Sequence, residues 1–367
     1  MRNTWPIVEV LRLARWAPSG DNGQPWRFSI EGRLRAVVHV GDTSARVLYD
    51  YRGRASWLAA GALVETAALA ATMTGHRLDW QLLPAKPGDP PGLTLGFDLV
   101  PVQGLEMDAL ALEIEKRSVQ RRALSGRPLQ DVHRLALEQA AASVPDTEIL
   151  WLDTLGAKAR MAGLLWHNAG IRLTAPEAYA THCKAIEWGQ RYSQDRIPDQ
   201  SLGLDPLALA VMRWAMQRWE RVNFLNRYGA GTVLPRIELD WWPALRCAAH
   251  FVLLRKRAPT TALDFITSGR SMQRLWLAAE QCGVRLQPEI TPLVFYWYHK
   301  EGVPVSQDPG VQRRVESLCE RMRRMWPDAV LERAVFVGRL GYGPSAGARS
   351  LRHELHALQG GAGSAWI

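Results

Sequence analysis

The sequence predicts an α+β fold written twice in one chain, with a helical insertion interrupting the second copy. Two internal matches and a change of texture carry this. Residues 61–78 (GALVETAALAATMTGHRL) and 269–286 (GRSMQRLWLAAEQCGVRL) agree without a gap at Gly61/Gly269, Leu69/Leu277, Ala70/Ala278, Ala71/Ala279, Gly75/Gly283, Arg77/Arg285 and Leu78/Leu286. In both, apolar residues recur three and four apart and a glycine stands where a helix C-cap would fall. VLRLARWAPS (10–19) aligns more loosely with ALEQAAASVP (136–145), each a helix running into a Pro-containing turn. The first pair is offset by 208 positions and the second by 126, so the second copy carries an insertion of about 82 residues.

The boundaries follow from this spacing. Residues 1–104 form the first half and 105–367 the second, with the insertion at about 168–245. Strands are plainest at Ala36–Val40, Ile149–Leu152, Ala249–Leu254 and Ala334–Val337, apolar runs bounded by turn residues. The insertion is helical in period and rich in large rings: Trp188, Trp214, Trp219, Phe224, Tyr228, Trp241 and Trp242. Rings of this size suit the edge of a core, the wall of a ligand or a lid over a pocket. Long helices mixed with few strands favour an α+β architecture over a doubly wound one.

Composition removes several classes. With 47% hydrophobic and 22% charged residues, the chain is not globally disordered. Cys183, Cys247, Cys282 and Cys319 form no CxxC pair, which excludes a zinc ribbon and a dithiol motif and suits a reducing cytoplasm. No uninterrupted apolar run reaches the ~18 residues of a spanning helix, so no membrane partner is expected. The net charge of +9 favours an anionic ligand without the interleaved aromatics of a nucleic-acid surface. No GxSxG, HExxH or Walker A signature is present, and no metal site is expected.

Residues 15–28, RWAPSGDNGQPWRF, read as a helix end, a rigid polar turn and an aromatic entry into a strand. The turn offers a hydroxyl (Ser19), two amides (Asn22, Gln24) and two shape-fixing prolines (Pro18, Pro25). Residues 116–128, KRSVQRRALSGRP, hold Arg117, Ser118, Gln120 and Arg121. Arginine forks match phosphate oxygens bidentately. The string APSxxNxQPWxF resembles the loop of the FMN-dependent nitroreductase-like family, and the RSxxR stretch resembles that family's phosphate-binding motif. Gln120 departs from the pattern, standing where the family usually carries a cation.

The resemblance implies an FMN site between the two motifs. In the family's homodimers the loop comes from one subunit and the phosphate motif from the other. Here one chain holds one loop and one phosphate motif, which implies an intramolecular pseudo-dimer with one composite site, further oligomerisation being open. The best-matched branch is the internally duplicated one, similar to Acg-type proteins and to the nitroreductase-like halves associated with ThiF-type adenylating proteins. The resemblance further implies that Arg349, after the GYG turn at 341–343, completes phosphate binding, with Arg352 beside it. Gln287 and Pro288 would face the reactive edge of the flavin. The chemistry would be hydride transfer from NAD(P)H through the flavin to a small, aromatic or biosynthetic, acceptor. Two other readings stay open: a flavin-sequestering protein without turnover, and an interaction protein without flavin.

Overall fold

The computed structural model describes residues 4–85, 91–228 and 231–360. In the first half, α1 (Pro6–Ala14) leads to β1 (Trp26–Ile30) and β2 (Arg35–Gly41), then α2 (Arg54–Thr72), β3 (His76–Leu83) and β4 (Gly92–Pro101). In the second, α3 (Asp131–Ala142) leads to β5 (Thr147–Leu152). The longer helices that follow are α4 (Leu155–Thr174), α5 (Pro176–Ala185), α6 (Pro206–Ala215) and α7 (Trp219–Tyr228), with shorter helical stretches over 233–245. Then come β6 (Ala249–Arg255), α8 (Ala262–Gln281), β7 (Val284–Pro288), α9 (Thr291–Lys300), α10 (Pro309–Met325), α11 (Asp328–Arg333) and β8 (Ala334–Tyr342).

The fold is α+β. Its two four-stranded sheets are wholly antiparallel, ordered β1-β2-β4-β3 and β5-β6-β8-β7. Residues 61–78 and 269–286 follow the same local course. Both run from helix, through a left-handed glycine (Gly75 at φ 72°, Gly283 at φ 67°), into a strand. Only glycine enters that region without a Cβ penalty, which is why both helices stop there.

The halves differ at two connections. The polar loop between α1 and β1 (15–25) shrinks to 143–146 between α3 and β5, so the PSGDN sequence has no counterpart. Conversely, the short link 31–34 between β1 and β2 becomes 153–248 between β5 and β6. The elaboration therefore begins before residue 168, which lies within α4.

One core serves both halves, running from Ile7 on α1 through Leu63 and Leu277 on the central helices to Leu358. The inserted helices contribute Met161, Leu164, Ile171 and Ala178 to that core and add a satellite of Ala162, Leu165 and Ala244. Residues 51–72 are long and apolar enough to cross a membrane, although no uninterrupted run was expected, but the apolar stretch within them is mostly buried inside the protein. It is the core helix α2.

Candidate functional site

The polar loop is strained and held. Asp21 (φ 50°), Asn22 (φ 64°) and Gln24 (φ 43°) all adopt left-handed backbone angles without being glycine, a conformation that costs energy and persists only where surroundings impose it. Ser19 Oγ accepts the Gln24 N–H at 3.0 Å. Gln24 donates through Nε2 to the Asn22 and Gln194 carbonyls, and its Oε1 accepts the His353 N–H at 3.0 Å. The expected ligand contact of Gln24 is thereby replaced by a structural role. Asn22 Nδ2 lies 3.2 to 3.3 Å from the carbonyls of Gln194, Arg196 and Leu351. Its Oδ1 is buried without a partner. Pro18 is buried at the root of the loop.

The predicted cations do gather. Arg117, Ser118, Arg121, Arg349 and Arg352 line one cavity of about 40 Å³, joined by Ser201 and Ser350. At about 10–15 Å³ per water, that is room for a phosphoryl group. No carboxylate lines it. The Arg117 guanidinium lies 4.5 Å from the centre of the Trp276 ring and donates to the Trp16 carbonyl at 3.1 Å. Arg349 sits over Trp16 at 5.3 Å and donates to the carbonyls of Glu115 and Arg117. Arg121 reaches the carbonyl and hydroxyl of Ser201. Arg352 donates to the carbonyls of Ala17 and Leu351, tying the loop's root to the C-terminal segment.

Four donors here have no acceptor: Arg117 Nε, Arg349 Nε, Trp16 Nε1 and Trp276 Nε1. Buried N–H groups are normally paired because an unmade bond costs about 1–3 kcal/mol. Burial and the facing Arg349 push Arg117 down to about 9. Burial likewise pushes Arg121 down to about 10, with Asp21 opposing. Both remain cations at pH 7. Burial, then Arg117 and Arg349, lower Arg352 strongly. The cavity thus brings together crowded cations and orphaned donors, with no carboxylate in its lining.

Gln120 is a correction. Its Nε2 donates to the Pro344 carbonyl at 2.9 Å and its Oε1 accepts the Arg122 N–H, so its amide is spent within the protein and it does not line the cavity. The Gln120 backbone N–H bonds the Leu286 carbonyl, pinning the basic stretch to β7. Pro288 ends that strand opposite Gly338. Gln287 spends its Nε2 on the Pro288 carbonyl and leaves Oε1 buried and unpartnered.

The sequence reading missed the insertion's own contribution. Residues 192–193 pair in parallel with 349–350, and Ser350 Oγ donates to the Arg196 carbonyl. This strap meets the 349–350 strand and the polar loop together. Its sequence RYSQDRIPDQS is a polar run within an aromatic insertion, a signal that was available. A buried charge network lies behind the loop. Burial raises the Asp21 carboxyl against the pull of Arg121 and Arg172, and Arg172 pairs with Asp240 at 2.5 Å. Tyr49 Oη meets His182 Nε2 at 3.0 Å, and burial pushes that imidazole down to about 3. Arg339 bonds both Glu289 (2.7 Å) and the Arg121 carbonyl. A larger surface groove of about 780 Å³, lined by residues such as Arg12, Met73 and Glu354, contains none of the predicted site residues.

No family model matches the chain. It is 24% identical over 359 residues to the uncharacterized protein MT1398 of Mycobacterium tuberculosis, covering 96% of this chain but 48% of that one. The chain thus spans about half the length of the curated relative it matches. Among solved structures it is similar to the FMN-dependent nitroreductase NfnB of Mycobacterium smegmatis in complex with NADPH (TM-score 0.37, 13% identity, 67% of this chain and 94% of that one). It is also similar to a nitroreductase with bound FMN from Bacteroides fragilis (TM-score 0.33, 10% identity, 65% and 89%). A nitroreductase-like family protein from Bacillus cereus gives TM-score 0.34 at 10% identity over 68% and 94%.

Proposed function

We propose that the protein is an FMN-dependent oxidoreductase built as an intramolecular pseudo-dimer of two nitroreductase-like halves, with one composite site. The observation that carries the reading is the carboxylate-free cavity lined by Arg117, Arg121, Arg349 and Arg352, with its orphaned donors. A phosphate monoester satisfies that donor set. The matching strand order of the two sheets supports the duplication.

Bound there, FMN would supply hydride chemistry, accepting from NAD(P)H and giving to a small acceptor. The protein's part is to bind, orient and shield. Arg117 and Arg349 would clamp the phosphate, with Ser118 and Arg121 beside them. Arg352 holds the loop root against the clamp. Asn22 Oδ1 and Gln287 Oε1, both buried and unpartnered, are acceptors free for ring N–H groups. We assign the chain to the Acg-like, ThiF-associated branch, with a ThiF-type adenylating protein as candidate partner and the cytoplasm as its compartment.

One observation favours a second reading, flavin sequestration without turnover: the strap at 192–196 is bonded to both the loop and the phosphate strand. Absorption spectra separate the readings. Enzyme and sequestering protein are both yellow and release FMN on denaturation, identified by chromatography. Rapid anaerobic bleaching by NADH or NADPH marks the enzyme. A protein that is colourless and takes up no added FMN overturns both.

A further inference from the structure

The insertion carries an exposed aromatic face that the proposed flavin chemistry does not use. On α6, Leu207, Val211 and Trp214 follow helical spacing and stand 75%, 48% and 47% exposed. On α7, Phe224 and Tyr228 are 59% and 67% exposed, their rings 5.3 Å apart. Trp241, on the stretch that follows α7, is also exposed. Soluble proteins rarely leave so many large side chains in water within one short stretch unless something covers them. The segments are joined: Arg221 donates to the Trp214 carbonyl, and the Asp205 N–H donates to Glu238, on the helical stretch Arg236–Trp241.

The charges on these segments say what the cover is. Arg213, Arg218, Arg221, Arg227 and Arg246 form no ion pair among the described residues. Three of them lie over rings: Arg221 over Trp214 at 4.7 Å, Arg227 over Tyr228 at 5.4 Å and Arg246 over Trp242 at 5.6 Å. An isologous pairing of two copies would set this arginine rim against itself, on a chain already at +9. Large rings interleaved with arginines match the boundary between anionic headgroups and acyl chains, where rings enter the apolar side and guanidiniums meet phosphates.

We propose that the α6–α7 face is a docking surface for an anionic lipid bilayer. The contact is peripheral and buries only the outer rings. It departs from the expectation of no membrane partner, which concerned spanning segments. None of these side chains lines the basic cavity, and the proposal does not depend on the flavin reading.

The test is co-sedimentation of the full chain with vesicles of phosphatidylcholine alone or with 30% phosphatidylglycerol, at low and high salt, alongside its sedimentation velocity. The expected result is at least tenfold stronger partitioning onto the anionic vesicles, weakened by salt and by Arg218→Glu with Arg227→Glu. Trp214→Ala with Phe224→Ala should weaken it even at low salt. Thermal unfolding checks that the variants fold; should they not, the lipid and salt dependence of the unaltered protein decides. Equal absence of binding to both vesicles overturns the proposal. So does a dimer that Trp214→Ala with Phe224→Ala dissociates without any lipid binding, which would make the face a self-association surface.

Discussion

Gly61 and Gly269 meet where α2 and α8 cross, and each admits the other's helix only because it lacks a side chain. A Cβ on Gly61 would stand 1.9 Å from the Ile266 carbonyl oxygen, and one on Gly269 would stand 2.0 Å from that of Leu58. Leu58 and Ile266 are themselves 208 positions apart, so the contact is reciprocal. The neighbouring bonds exchange in the same way: Gln273 donates to Thr66, and Arg274 to Glu65.

Gly61→Ala should therefore force the two helices apart and cost about 3 kcal/mol, as overpacking does. Gly269→Ala should cost a similar amount. Both acting at one crossing, the double variant should lose less than the two losses combined. Urea unfolding of the four proteins checks this.

Arg117→Ala should weaken FMN binding by about 1.5–3 kcal/mol, the worth of a hydrogen bond to a charged group. Gln120→Ala should leave the affinity nearly unchanged, because its amide is spent on Pro344 and Arg122. Fluorescence titration of both variants makes the comparison, and equal losses would mean the phosphate sits elsewhere.

Phosphate affinity should depend on pH through the phosphate. It should rise from pH 5 to 7 as the monoester takes its second charge, near pH 6. It should then stay level, because the arginines keep their charge over this range. Titrations at fixed ionic strength from pH 5 to 9 follow the rise and the plateau.

The buried His250–Glu289–Arg339 group should dominate the pH dependence of stability. Burial opposes the imidazolium, yet Glu289 holds His250 up at about 10, so its contribution is complete below its ordinary 6.5 and lost as pH rises through about 10. Burial opposes the Glu289 carboxylate too, but His250 and Arg339 hold it below its ordinary 4.5. That contribution is present above 4.5 and lost as pH falls through the lowered value. Glu289→Gln should cost about 3–5 kcal/mol near neutrality, the loss expected when a buried pair is broken, and should flatten both limbs in thermal unfolding.

Much of this was legible in the sequence because it rests on local pattern. The repeat marked α2 and α8 through their periodicity and closing glycines, and four strands stood out as apolar runs. The cations of the basic cavity were also visible, as arginine types in a short motif. Side-chain direction was not. Gln120 spends its amide N–H on the Pro344 carbonyl, and Gln24 is held by the Gln194 carbonyl and the His353 N–H, long-range pairings that no local signal encodes. The start of the elaboration was missed because α4 continues the helical period across residue 168.

The central claim is one composite flavin site per chain, and stoichiometry tests it most directly. The apoprotein, at a concentration well above the dissociation constant, is titrated with FMN and the break point read from flavin fluorescence. The account predicts one FMN per chain, with tight binding lost in Arg117→Ala. Two FMN per chain, or no saturable binding by the folded protein, would contradict it.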